Sequence, residues 1–417
     1  MSIIYNFCWQ ALFLCASLLN RCHLIKKNSK LQRFIYGQHN VFKRIETVLT
    51  QQCPKPVIWI HAASLGEYGV ARPIIKRINE NGEYSIFLTF FSPTGVEALE
   101  NHHSEIDIVE YLPIDTTQNA RRLINTIKPK KALFIISEFW PNYLKELKSH
   151  NIETYLISGL IKPQSPILKW YGKIIRQSLS AFTKFMVLNE ETKRNLEAIG
   201  LENISVVGDP LFDNAMVVAT SSYHNKIVEA FASHGNLFIA GSISDKKDLE
   251  LVSRLANSHR DTRFLVVPHE ISEEHLNNII YHFEGKTICY HECDESTDFS
   301  DTQVLIIDFI GALAYLYRYA KWAYVGGGFT PYLHSVIEAT VYGVPVAFGP
   351  EINRKITPQQ LINLGIGCKV KRFKDLKRWF EHLKNNQAEL DVIKEKADAY
   401  IKQNIGATDE IMSIIKI

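Results

Sequence analysis

The chain has 417 residues, more than one hydrophobic core ordinarily serves, so two domains are expected. Apolar residues make up 46% and charged residues 22%, the proportions of a globular protein, and a net charge of +3 gives no ground for a nucleic-acid partner. The seven cysteines are scattered, and although Cys289 and Cys293 flank His291, no second ligand pair stands at zinc-site spacing. They read as small apolar residues and free thiols of a reducing compartment, and no metal or other cofactor is expected.

Residues 2–20, SIIYNFCWQALFLCASLLN, are mostly apolar. Ser2, Asn6, Gln10 and Ser17 share one narrow helical stripe, while Phe7, Trp9, Leu12 and Phe13 belong to the rest of the cylinder. Arg21, Lys26, Lys27, Lys30 and Arg33 follow. A cleavable leader carries its basic residues before the apolar run, not after it. The order here predicts a membrane-anchoring helix over residues 1–25 with the downstream chain on the cytoplasmic side, either spanning the bilayer or lying in its interface. A buried core helix is the competing reading.

From residue 55 short apolar runs alternate with helical segments. Strands are expected at 57–61, 85–90, 132–137, 154–158 and 185–188, then at 237–241, 264–268, 303–308, 322–327 and 344–349. Continuous apolar runs of this length suit parallel sheets covered on both faces. Two such series predict an α/β chain of two facing Rossmann-like domains, 26–208 and 236–417, joined by a linker over 209–235. Ligands of such sheets bind at the carboxyl ends of the strands.

Several segments at those ends carry chemistry. After the first strand comes HAASLGE, in which Ala62, Ala63 and Gly66 permit close backbone approach; Ser64 and Glu67 have capping-box spacing, and Glu67 equally suits a general base. Ser92 and Thr94 of SPTG begin the next helix, as a cap or as an anion site. Glu138, beside Phe139 and Trp140, is either a polar handle in an apolar cleft or a first-turn carboxylate facing a helix dipole. In the second half, Gly326, Gly327 and Gly328 follow a strand and point to backbone bared toward a ligand, with tight packing as the alternative. His334-Ser335-Val336-Ile337-Glu338 reads as a helix start suited to phosphate, with Glu338 placed for ribose hydroxyls. There is no Walker loop, G-x-G-x-x-G, D-x-D or G-x-S-x-G.

Taken in order, HAASLGE, FFSPTG, SEFWPN, GDPLFD, VPHE, IGALAYLYRYA, VGGGF, HSVIEA and GVPVAFGP resemble the 3-deoxy-D-manno-octulosonic acid (Kdo) transferases of lipopolysaccharide assembly. The SEFWP and VPHE wordings resemble the branch found in Bacteroidetes-type bacteria. The resemblance covers nearly the whole chain. It implies a GT-B fold, an activated donor in which Kdo is carried on cytidine monophosphate (CMP-Kdo), and a lipid A precursor as acceptor at the cytoplasmic side of the inner membrane. It further implies an inverting transfer without a bound metal. By position it makes Glu67 the base and Glu138 a second acid of the acceptor-side cleft, where Ser64, Gly66, Ser92 and Thr94 also fall. It assigns Pro268, His269, the turn Ile310-Gly311-Ala312, Gly327, Gly328 and Ser335, Val336, Ile337 and Glu338 to the nucleotide.

The chain departs from the family pattern in places. Ser335 stands for an Asn, Leu211 for a basic residue, Lys162 for an Arg and Ala312 for a Glu. Thr330-Pro331-Tyr332-Leu333 replaces a Gly- and Lys-containing approach, and the acidic run after Gly241-Ser242 becomes ISDKKD. Each charged hydrogen bond lost to phosphate costs about 1–3 kcal/mol, which Ser335 and Arg354 offset in part. The alternative function is therefore a membrane-bound nucleotide or lipid binder without turnover. A further alternative is another enzyme of the double-Rossmann type, such as a nucleotide-sugar epimerase.

Overall fold

The computed structural model describes residues 2–52, 55–99, 105–352 and 355–417. They form two compact units, Met1–Asn214 with Ile405–Ile417, and Ala215–Asn404. The first holds β1 (Val57–His61), β2 (Ser85–Phe90), β3 (Ile108–Tyr111), β4 (Lys131–Ile135), β5 (Glu153–Gly159), β6 (Lys184–Val187) and β7 (Ile204–Val206). All are parallel, in the order β3-β2-β1-β4-β5-β6-β7. β1, β2 and β4 are buried at every residue, which is why apolar side chains dominate each of them. Trp59 packs edge-on against Phe134 and Tyr143, with centroids 5.2 and 5.5 Å away; truncating such a buried ring costs about 3–5 kcal/mol.

The second unit holds β8 (Leu237–Ile243), β9 (Arg263–Pro268), β10 (Thr287–Cys289), β11 (Val304–Ile306), β12 (Trp322–Val325), β13 (Val346–Phe348) and β14 (Gly367–Lys369). These too are parallel, in the order β10-β11-β9-β8-β12-β13-β14. The chain thus reverses its direction of travel between β1 and β4 in one sheet and between β8 and β12 in the other. The crevice at such a switch point is where an open α/β sheet takes its ligand. Every expected strand is present, with ends within two residues. β3, β7, β10 and β14 are additional, and all four are sheet edges.

The expected linker 209–235 is instead largely helical, Pro210–Thr220 and Lys226–Ser233, and the division between units falls inside the first of these helices. Nor does the C-terminal domain run to the last residue. Asp213 accepts hydrogen bonds from Gly406 N at 2.6 Å and from Thr408 N and Oγ1 at 2.7 and 2.6 Å, tying the last helix, Ala407–Ile415, to the first unit. Ile411 and Ile415 are fully buried in that unit's core.

α1 (Ser2–Arg21) forms as expected, yet its polarity is turned round. Tyr5 Oη donates to Asp115 Oδ2 at 2.8 Å, Asn6 Nδ2 donates to Thr117 Oγ1 at 3.0 Å, and Trp9 lies against Phe91 and Trp140. Ile4, Phe7, Leu12, Leu14 and Leu18 point away, each at least half exposed. The expected polar stripe splits, with Asn6 and Ser17 facing the protein and Gln10 facing out. No described helix is long and apolar enough to cross a membrane.

Candidate active site

In the first unit the switch point gathers the segments after β1 and β4. Glu67 sits in the first turn of the helix Leu65–Asn81 and accepts from Ser64 N at 3.1 Å, closing the capping box that the sequence announces. The cap and the acid–base group are therefore one side chain. Burial, and then the charge of Glu138, push its carboxyl up to about 8, against the opposing pull of the Ala63 and Ser64 N–H groups. Such a group holds a proton that an ordinary surface carboxyl would have lost, and it ionises within reach of neutral pH.

Glu138 is fixed from behind. Trp140 Nε1 donates to its Oε2 at 2.8 Å and is shared with His61 Nε2 at 3.0 Å. His61 is fully buried at the end of β1, with Nδ1 2.9 Å from Thr89 Oγ1. With Nε2 accepting from Trp140, the ring proton belongs on Nδ1 and is donated to Thr89. Just before this segment Ile136 adopts φ +65°, a conformation that a β-branched residue takes only under tertiary constraint. Strain of this kind collects at binding and catalytic sites. Ser92 N donates to Ala63 O at 2.8 Å and Ser92 Oγ meets Thr94 Oγ1 at 2.9 Å, so the segments carrying Ser64, Gly66, Ser92 and Thr94 adjoin Glu67 at the same edge.

The second unit brings Ser242 and the glycine triplet together at the β8/β12 switch. A Cβ on Gly326 would lie 2.2 Å from Ser242 O, and one on Gly328 would lie 2.5 Å from Gly349 N. Close packing of backbone on backbone therefore accounts for these two glycines without a ligand. Gly327, at φ +83°, donates its N–H to Asp248 Oδ2 at 2.8 Å, and Tyr324 Oη donates to Asp248 Oδ1 at 2.7 Å. Burial raises Asp248 to about 6. Val336 and Ile337 are buried, which leaves only their backbone for a ligand. The helix expected from His334 is short, Ile337–Thr340. Glu338 is pushed up to about 7 by burial; His334 is pushed down to about 4 by burial, then by His269 and Lys355. The His269 and His334 rings lie 4.8 Å apart.

Pro268 closes β9, and His269 N donates to Ile243 O at 2.9 Å. Ile310 is 83% exposed and Gly311, at φ +97°, has open space about it, whereas Ala312 is buried. All of these lie at the carboxyl edge of the second sheet. Leu211, where a basic residue was expected, packs toward Gly69, and Arg354 lies outside the described residues. Sequence reasoning gave no role to His61, Asp115 or the Ile136 backbone; a histidine ending an all-apolar strand was the one signal available for the first of them.

A family model described as 3-deoxy-D-manno-octulosonic-acid transferase (Kdo transferase) matches residues 33–214. The Kdo transferase of Rickettsia typhi is 24% identical over 407 residues, which is 93% of this chain and 85% of that protein. By sequence the chain is similar to Kdo transferases along most of its length. A bifunctional glycosyltransferase/methyltransferase of Fusobacterium nucleatum is 22% identical over 83% of this chain, and the chain spans only about half, 55%, of that relative. Among solved structures, a UDP-GlcNAc 2-epimerase from Neisseria meningitidis bound to UDP-GlcNAc superposes with a TM-score of 0.61 at 14% identity, over 87% of this chain and all of that one. At that identity the likeness concerns the fold of two parallel α/β sheets. Glu67 and Glu138 stand together at the first sheet's switch point, and the segments that the sequence resemblance assigns to a nucleotide lie at the carboxyl edge of the second sheet.

Proposed function

We propose that the chain transfers Kdo from CMP-Kdo to a lipid A precursor, with inversion, on the cytoplasmic side of the inner membrane. The observation that carries this is the Glu67 carboxyl, half-buried near Glu138 at the β1/β4 switch and raised to about 8. The ionised form of Glu67 takes the proton of the acceptor hydroxyl as its oxygen bonds to the anomeric carbon. The bond from that carbon to the phosphate oxygen breaks, and its electron pair leaves with cytidine monophosphate. A base whose proton affinity lies near the working pH is the efficient choice for this step. Glu138, held by Trp140 and through it by His61, keeps that affinity high.

On the nucleotide side, the open Gly311 turn offers backbone N–H to the departing phosphate, where fixed dipoles stabilise developing charge. With His334 neutral, the phosphate contact there relies on backbone more than on imidazolium. The outward apolar face of α1, followed by Arg21, Lys26, Lys27 and Lys30, supports an interfacial anchor on anionic lipid.

The decisive experiment measures cytidine monophosphate release from CMP-Kdo with a lipid A precursor, in wild type and in Glu67→Gln. Release by wild type and its loss in the variant, with nucleotide affinity kept, is the expected result; equal release by both would refute the assigned base. Co-sedimentation with anionic vesicles tests the anchor. Leu12→Glu with Leu18→Glu should abolish binding, and unchanged binding would remove α1 from the account.

A further inference from the structure

The far edge of the second sheet holds a cluster that the transfer chemistry leaves unused. β10 ends at Cys289, and β11, its neighbour, ends in register with it, Cys289 opposite Ile306. Two residues past each strand stand His291 and Asp308. Cys289 Sγ, an imidazole nitrogen of His291 and a carboxylate oxygen of Asp308 all lie within 4.8 Å of one another. A tetrahedral zinc ion with bonds of about 2.0–2.3 Å sets its ligand atoms about 3.3–3.8 Å apart, so shifts of about 1–1.5 Å close the set.

The geometry points to a zinc site formed by Cys289, His291 and Asp308, with Cys293 as fourth ligand. Spacing alone, C-x-H-x-C, lacks a partner from another segment; the parallel pairing of β10 with β11 supplies it in Asp308. The Asp308 side chain is only 6% exposed and Cys289 is 3% exposed, while His291 forms the outer wall. His291 Nδ1 faces Asp308 Oδ2 directly, so a proton now joins two atoms that a cation can bridge. Cys293 Sγ donates to Cys289 O at 3.3 Å, which holds a second thiol beside the set.

Glu292 is not available as a ligand, because it caps Cys289 N at 2.8 Å. Its charge still adds to that of Asp308, a negative field that a divalent cation answers; each thiol gives its proton to solvent as the sulfur–metal bond forms. Sulfur, nitrogen and oxygen donors in a tetrahedral set favour zinc over magnesium or calcium. The frame is already braced by the Tyr290 ring, 4.7 Å from Phe309, and by Asn225 Nδ2 donating to Tyr290 Oη at 3.2 Å. Zinc here staples a three-residue edge strand to its neighbour just before the Ile310-Gly311 turn. The inference stands apart from sugar transfer and does not depend on it.

The test uses the full chain with Cys8, Cys15, Cys22 and Cys53 replaced by serine, dialysed against zinc and analysed for bound metal, and then loaded with cobalt. One zinc per chain and a near-ultraviolet thiolate-to-cobalt band are expected. Cys289→Ser and Asp308→Asn should each weaken zinc binding at least tenfold and remove or diminish the band; Cys368→Ser, on β14, should change neither. Circular dichroism reports whether each variant is folded. Less than a tenth of a zinc per chain in the parent, or undiminished binding in folded Cys289→Ser with His291→Gln, would overturn the site.

Discussion

Replacing Glu67 by glutamine tests the central electrostatic claim through stability as well as turnover. Glutamine keeps the shape and still accepts the Ser64 N–H, so the cap survives. In wild type the folded chain moves the Glu67 carboxyl from 4.5 to about 8. At about 1.36 kcal/mol per pH unit, the raised affinity makes charging Glu67 cost about 5 kcal/mol at most in the folded state. The sign follows from the direction of the shift. Below pH 4.5 the group is protonated whether folded or unfolded, and the shift has no adverse effect. As pH rises from there to about 8 the unfolded chain loses its proton and the folded chain keeps it, so stability drains away across that window. The variant lacks this loss. Urea unfolding at pH 5 should find the two proteins within about 1 kcal/mol, and at pH 9 should find the variant more stable by several kcal/mol. Turnover should fall about 10²–10⁴-fold, the usual contribution of a general base. Parallel stability profiles from pH 5 to 9, or a variant with near-normal turnover, would refute the reasoning.

Other outcomes follow from the same geometry. Wild-type kcat/KM should rise with pH up to about 8 as Glu67 ionises, and Glu138→Gln should move that limb to lower pH by removing a neighbouring negative charge, as read from pH–rate profiles. Gly328→Ala sets a methyl 2.5 Å from Gly349 N, an obstacle that backbone cannot yield, and should lower the thermal midpoint sharply or prevent soluble expression. Asp213→Ala removes three hydrogen bonds to Gly406 and Thr408 and should cost about 1–3 kcal/mol, with faster amide exchange confined to 405–417.

The strands that the sequence reveals are those whose neighbours cover both faces, such as VIWIH and SIFLTF, because complete burial writes itself as a mostly apolar run. The ones it conceals, IVEY, ISV, TIC and GCK, are edges with one open flank, too short and too mixed to rise above their surroundings. The same blindness hid the Asp308 partner of Cys289, which becomes adjacent only once the edge strand β10 is placed. Capping-box spacing was legible at Ser64 and Glu67, while the burial that gives Glu67 its proton affinity is a property of packing that no local pattern records. α1 was legible as an apolar helix but not in its orientation, since Tyr5 and Trp9 serve as inward anchors only when Asp115 and Trp140 exist to receive them.

The return of residues 405–417 to the first unit has a consequence for synthesis. A chain emerging from the ribosome can complete the second unit before the first, because the helix that seals Ile411 and Ile415 into the first core is translated after the second unit. Until then the earlier-made half keeps an apolar groove open, a stretch of vulnerability that most N-terminal domains escape by finishing as they appear. Cutting the gene at the unit boundary would make that interval permanent, so a stable isolated first half requires the final thirteen residues to be grafted back onto it.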